Sequence, residues 1–185
     1  FGESGVLMDA GLTEEQKALV SGYGDITVAD AIKVDAAKMG DLNKDGGFTG
    51  GRPSVSFEGT FAINYYFDCA VTDAVDVTLY YWDEAAYNSV DVLRVDNATG
   101  SMAMTDLGDG TYGATYSDIA AKQIEDTLFV AAVYEYEGEL WSSGVVSYSL
   151  ATYCKQIGSN DASAMQALAQ ATAVYGSYAK AYFAQ

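Results

Sequence analysis

Asp41, Asn43 and Asp45 carry side-chain oxygens at alternate positions of the stretch DLNKDGGFTG, followed by the pair Gly46-Gly47. A calcium-binding loop asks for that pattern: oxygen ligands at positions 1, 3 and 5, glycine at 6 and a backbone carbonyl at 7, here that of Gly47. It also asks for a carboxylate at position 12, where this chain has Arg52. Two outcomes are open: a weak calcium site on Asp41, Asn43, Asp45 and Gly47, or a capped glycine-rich turn without metal.

Other chemistry is easier to weigh. The chain has no histidine, which removes Ser-His-Asp and Cys-His nucleophile systems and the commonest transition-metal ligand. No G-x-S-x-G, Walker A or G-x-G-x-x-G stretch occurs. Ser177 and Lys180 match S-x-x-K, but the Ser-Asp-Asn and Lys-Thr-Gly partners of that chemistry are missing. A glycosidase needs only two carboxylates; Glu135, Glu137 and Glu139 flank a hairpin-like Gly138 and read as solvated charges. The expectation is a protein that is not an enzyme. Cys69 and Cys154 are too few for zinc and lie in no Cys-x-x-Cys spacing. Their flanks read as strands, so the pair is either one long-range disulfide or two buried free thiols.

Aromatic rings are the remaining chemical resource. Strand alternation turns Tyr80 and Trp82 away from Val77, Leu79 and Tyr81, and turns Tyr66 outward in its own strand. Three outward rings would make a stacking platform for sugars; alternatively they pack beneath a covering helix. Fifteen tyrosines suit a protein interface equally well.

Charge narrows the partners. Nine Lys and Arg face twenty-six Asp and Glu, a net charge of −17. Phosphate neutralisation needs clustered cations, so nucleic acid is excluded and anionic membrane surfaces repel the chain. Divalent cations, uncharged glycans and protein partners are compatible. No apolar run approaches the roughly 20 residues of a membrane helix, so no membrane insertion is expected. The sequence opens at Phe1 without a signal pattern, as expected of a mature form or an excised segment.

The elements that must position these residues change character near Pro53. Residues 1–52 carry two short helical patterns. One is capped by Thr13 and stopped at Gly22; the other is capped by Thr27, carries Ile32, Val34 and Met39, and ends at Gly40. From Val55 the period becomes two: Phe61, Ile63, Tyr65, Phe67 and Cys69 share one face, and Asn64, Tyr66 and Asp68 the other. Further short strands follow with turns at DNATG, LGDG and Glu137-Gly138-Glu139, and the last runs through Cys154. Met165, Leu168, Thr172, Tyr175, Ala179 and Tyr182 then mark the inner face of a C-terminal helix lying on a sheet, with Gly176 at a point of close packing. The expected fold is mainly β: an antiparallel, Ig-like β-sandwich over 54–185, with short N-terminal helices over 1–52 and a C-terminal amphipathic helix.

Two resemblances add to this reading. The stretches LTEEQKALVSGYGDITVADAIKV and GDLNKDGGFT resemble fragments of a dockerin, the module of cellulosomes that carries two calcium loops. Residues 54–184, with VSFEGTFAINYYFD, TLYYWDEAAYN and the helix ending Tyr175-Gly176-Ser177-Tyr178-Ala179, resemble a module of large secreted surface proteins of gut Firmicutes. That resemblance implies an extracellular, non-catalytic part of a bacterial cell surface. Its expected role is adhesion or surface assembly through contacts with other surface proteins, or alternatively carbohydrate binding.

Overall fold

The computed structural model describes residues 31–43, 45–57, 60–70, 76–158 and 164–184. The helix expected after Thr13 and the Thr27 cap of the second lie outside them. The described residues divide into two compact units: one within 31–118 and 127–148, the other within 119–126 and 149–184.

The larger unit is an antiparallel β-sandwich. One sheet has the order β1-β2-β6-β5, with β1 Phe48–Ser56, β2 Phe61–Cys69, β6 Thr111–Ile119 and β5 Thr105–Asp106. The other has the order β4-β3-β7-β8, with β4 Gly100–Ala103, β3 Thr78–Trp82, β7 Leu128–Tyr136 and β8 Glu139–Ser142; β9, Val146–Tyr148, also pairs with β7. Alternation decides what enters the core. In β2, Ile63, Tyr65, Phe67 and Cys69 are buried while Asn64, Tyr66 and Asp68 are half-exposed, so the period of two holds along the strand. Between the sheets Phe48 meets Phe67 and Tyr134 edge-on, at centroid distances of 6.2 and 5.5 Å, and Tyr81 meets Tyr116 at 5.2 Å.

β1, Phe48–Ser56, runs through Pro53 unbroken, so the change of character expected near Pro53 falls inside a strand. Proline is tolerated because β1 is an edge, where a missing N–H costs no ladder bond. A bulge between Gly50 and Arg52 bends it, and both glycines there have positive φ.

In the second sheet β7 is buried on both faces from Leu128 to Tyr134. The sheet's outer face carries Trp82, Phe129, Ala131 and Val133, packed against Val34, Leu42 and Leu93. Val34 does not come from a helix as expected: residues 31–35 are not helical, and α1 spans only Ala36–Met39. The cause is Asp35, whose carboxylate accepts the N–H of Ala37 at 2.8 Å and so starts the helix there. The rest of the cover is the segment 83–98, including α2, Glu84–Ser89. Tyr87 stacks on Phe129 at 3.6 Å, and Lys38 lies 4.3 Å over the Tyr87 ring while donating to the Val90 carbonyl.

The smaller unit is helical among its described residues. Cys154 lies in α3, Leu150–Gly158, where the sequence reads as a strand. Ser149 is the reason: its hydroxyl accepts the N–H of Thr152 at 3.0 Å, which is N-cap geometry. α4, Ala164–Phe183, is the expected C-terminal helix with its buried face rotated: Thr172 and Ala179 face inward as expected, but Leu168, Tyr175 and Tyr182 do not. Ala169, Thr172, Ala173, Gly176 and Ala179 are buried, whereas Leu168, Tyr175, Tyr178 and Tyr182 are exposed. Small residues let α4 approach α3 and the turn at Ile124 closely; Ala169 and Ala173 pack on Cys154.

Candidate functional site

The outer face of the β1-β2-β6-β5 sheet is open and mixed in chemistry. Its centre is Tyr66 of β2, opposite Arg52 of β1. Across from it on β6 is Gly113, where a Cβ would stand 2.8 Å from Leu107 and 3.4 Å from the Tyr66 ring. Tyr66 and Leu107 therefore lie over bare backbone, a close approach that only glycine permits. β5 ends after two residues, Thr105 and Asp106, paired with Gly113 and Tyr112 of β6. A cleft of about 360 Å³ forms at that corner, lined by Tyr66, Met102, Thr105, Leu107, Gly113 and Thr115 among others.

Two polar groups flank the ring along β2. On one side Asp68 accepts both Arg52 bonds, at 3.0 and 2.9 Å, and the Thr111 hydroxyl at 2.9 Å. On the other, Asn64 donates to the Ser54 hydroxyl at 3.3 Å and accepts from Thr115 at 2.7 Å. Each side chain is thereby oriented before any ligand arrives, with an aromatic surface between an amide and a charged pair. Such an arrangement can stack a ring and hydrogen-bond its rim.

The expected three-ring platform does not form. Trp82 is 0 % exposed, and its indole donates to the Asn97 side chain at 2.9 Å. Tyr80 packs half-buried against the same cluster. Alternation placed both on the outer side of β3 correctly, but segments 31–43 and 83–98 cover that side. Of the three, Tyr66 lines a cleft on the open sheet face. Arg52, named in the sequence only as a mismatch to a calcium loop, joins Asn64, Asp68, Thr111 and Thr115 around Tyr66. Asn64 and Asp68 were legible as outward neighbours of Tyr66, but the cross-strand partners need the pairing register.

At the calcium-like stretch the structure forms the capped turn. Asp41 and Asn43 lie in a 3₁₀ turn, Gly40–Asn43, whose three-residue period aims side chains two apart in different directions. The Asp45 carboxylate accepts the N–H of Gly47 at 2.9 Å, and Gly47 has a positive φ of 69°. Among the described residues no three acids or thiols converge as a metal site. Asp41 instead borders a second cleft of about 230 Å³, with Leu93, Arg94 and Leu140.

Cys69 and Cys154 are free, buried thiols, each in its own unit, and the expected disulfide is not formed. Burial pushes the Cys154 thiol up from 9.0 to about 12. Burial also raises the Tyr65 phenol, with Tyr148 and Tyr116 adding smaller effects. Neither group lines a cleft described above. Among the described residues, no helix is long and apolar enough to cross a membrane.

No family model and no curated protein matches this chain. Among solved structures it is similar to the crystal structure of the Br derivative of BhCBM56, a carbohydrate-binding module, at 15 % identity and a TM-score of 0.33, covering 65 % of this chain and 99 % of that one.

Proposed function

We propose that the chain is a non-catalytic, extracellular binding module of a bacterial cell surface, and that the outer face of the β1-β2-β6-β5 sheet takes an uncharged glycan around Tyr66. The observation that carries the reading is the cleft beside Tyr66, with its ring set between the oriented Asn64 and the Arg52–Asp68 pair. Sugars combine apolar ring faces with hydroxyl rims, and this surface offers partners for both. A net charge of −17 favours neutral over anionic polysaccharides. The resemblance to secreted surface modules supports the extracellular setting. A second reading, assembly by protein contact, draws on a different surface, the tyrosine side of α4.

The test is calorimetric titration and affinity electrophoresis against neutral plant, starch and mucin-type glycans. Saturable binding to one of them, weakened about tenfold or more in Tyr66→Ala, is expected; tenfold corresponds to about 1.4 kcal/mol. Binding that Tyr66→Ala leaves intact, or a flat response across the panel, overturns it.

A further inference from the structure

Helix α4 carries two opposed stripes. The buried stripe of small residues has already been described. The opposite side presents Leu168, Ala171, Tyr175, Tyr178 and Tyr182, spaced three, four, three and four apart, the seam spacing of a two-helix coiled coil. Tyr175, Tyr178 and Tyr182 are 59, 52 and 70 % exposed. An apolar seam on the outside of a helix is the reverse of ordinary patterning.

Charge points to what covers it. The chain is strongly acidic, yet from Leu140 to Gln185 its single acid is Asp161. α4 itself has no acid and one cation, Lys180, already held by Asp126 at 3.1 Å and Glu125 at 3.6 Å. Two copies of so acidic a chain repel, and a contact made by α4's own side chains adds no carboxylate to that repulsion.

Shape agrees. The seam is centred on Tyr175. A two-fold axis there would set Tyr182 of each copy against Leu168 of the other and Tyr178 against the smaller, half-buried Ala171. Large side chains then face smaller ones on both sides, as an isologous contact requires. With about 150–250 Å² available per aromatic, the exposed parts of Leu168, Tyr175, Tyr178 and Tyr182 amount to roughly 400 Å² per copy. Two copies reach roughly 800 Å², the size of a weak, transient contact.

We propose that a second copy of this chain docks on α4, antiparallel and two-fold about Tyr175, to give a weak homodimer. The contact is independent of the glycan face.

Sedimentation of the whole chain from micromolar to near-millimolar concentration tests this. The expected result is a concentration-dependent dimer that tightens several-fold as salt rises, because salt screens the repulsion between like-charged copies. Tyr175→Glu and Tyr178→Gln, both at exposed positions, are expected to weaken it more than tenfold with unchanged circular dichroism. Tyr136→Glu, on the other unit, leaves it unchanged. Mild oxidation of Tyr175→Cys is expected to cross-link the copies at the axis, while Tyr136→Cys stays uncoupled. A monomer throughout the range, an association that salt weakens, or a dimer indifferent to Tyr175 and Tyr178 overturns the proposal.

Discussion

Gly176 lies so close to Ile124 that a Cβ added to it would stand 2.7 Å from the Ile124 Cβ and 2.8 Å from its Cγ2. Both atoms sit near the backbone of their residue, so neither can swing aside. In an exposed helix, alanine in place of glycine gains about 1 kcal/mol. Here overpacking costs about 1–3 kcal/mol and outweighs that gain. Gly176→Ala is therefore expected to destabilise the helical unit by up to about 2 kcal/mol, read as a lower urea midpoint. A stabilised variant would mean that α4 does not approach Ile124 so closely.

Asn97 holds the cover over Trp82 by three bonds. Its Oδ1 accepts from the Trp82 indole and the Arg94 N–H, both at 2.9 Å, and its Nδ2 donates to the Val92 carbonyl at 3.0 Å. Asn97→Ala leaves a buried indole N–H without its acceptor, at about 1–3 kcal/mol. The expected outcome is a loss of about 2 kcal/mol in urea unfolding, with indole emission shifted to the red as water reaches the ring. Unchanged emission and stability would show that the segment is held in some other way.

Alkaline pH should weaken the fold through Tyr65 and Cys154. Each is charged only when deprotonated, and burial raises both above their ordinary values of 10.0 and 9.0. Below about pH 9 both are protonated, folded or unfolded, and their contribution is fully present. Above it the unfolded chain ionises while the folded chain resists, so stability falls as pH rises towards the folded value of about 12 for Cys154. Each such group adds a slope of about 1.4 kcal/mol per pH unit. Tyr65→Phe is expected to reduce that slope. At neutral pH it should be neutral or stabilising, because it removes a buried hydroxyl without a hydrogen-bond partner. An unaltered slope in both Tyr65→Phe and Cys154→Ala would place the alkaline transition elsewhere.

How far the sequence could be read follows from what each pattern measures. Alternation in FAINYYFDC is local, and it sorted Tyr65 from Tyr66 correctly. It gave the correct parity for Trp82 as well. Parity says which side a ring takes, not what lies on that side, and the cover depends on Asn97 and on Leu42 from a distant segment. Helix α4 misled for another reason. Period and side-chain size together assign the tyrosines inward, but the partner surface is α3, which the β-rich flanks of Cys154 disguise. Ser149 and Thr152, three apart, were the available sign of a cap. The glycine-rich stretch at Asp45 was legible as a capped turn, because Asp45 and Gly47 need only each other.

Between β4 and β5 the chain changes sheets at a single buried residue, Met104, whose N–H bonds to the Val77 carbonyl at 2.8 Å. Residues 100–103 form an edge of one sheet, and residues 105–106 an edge of the other. That short run is a clasp: neither layer can complete its border unless the other is in place. Loosening it should release both layers together, so the sandwich is built to melt in one cooperative step.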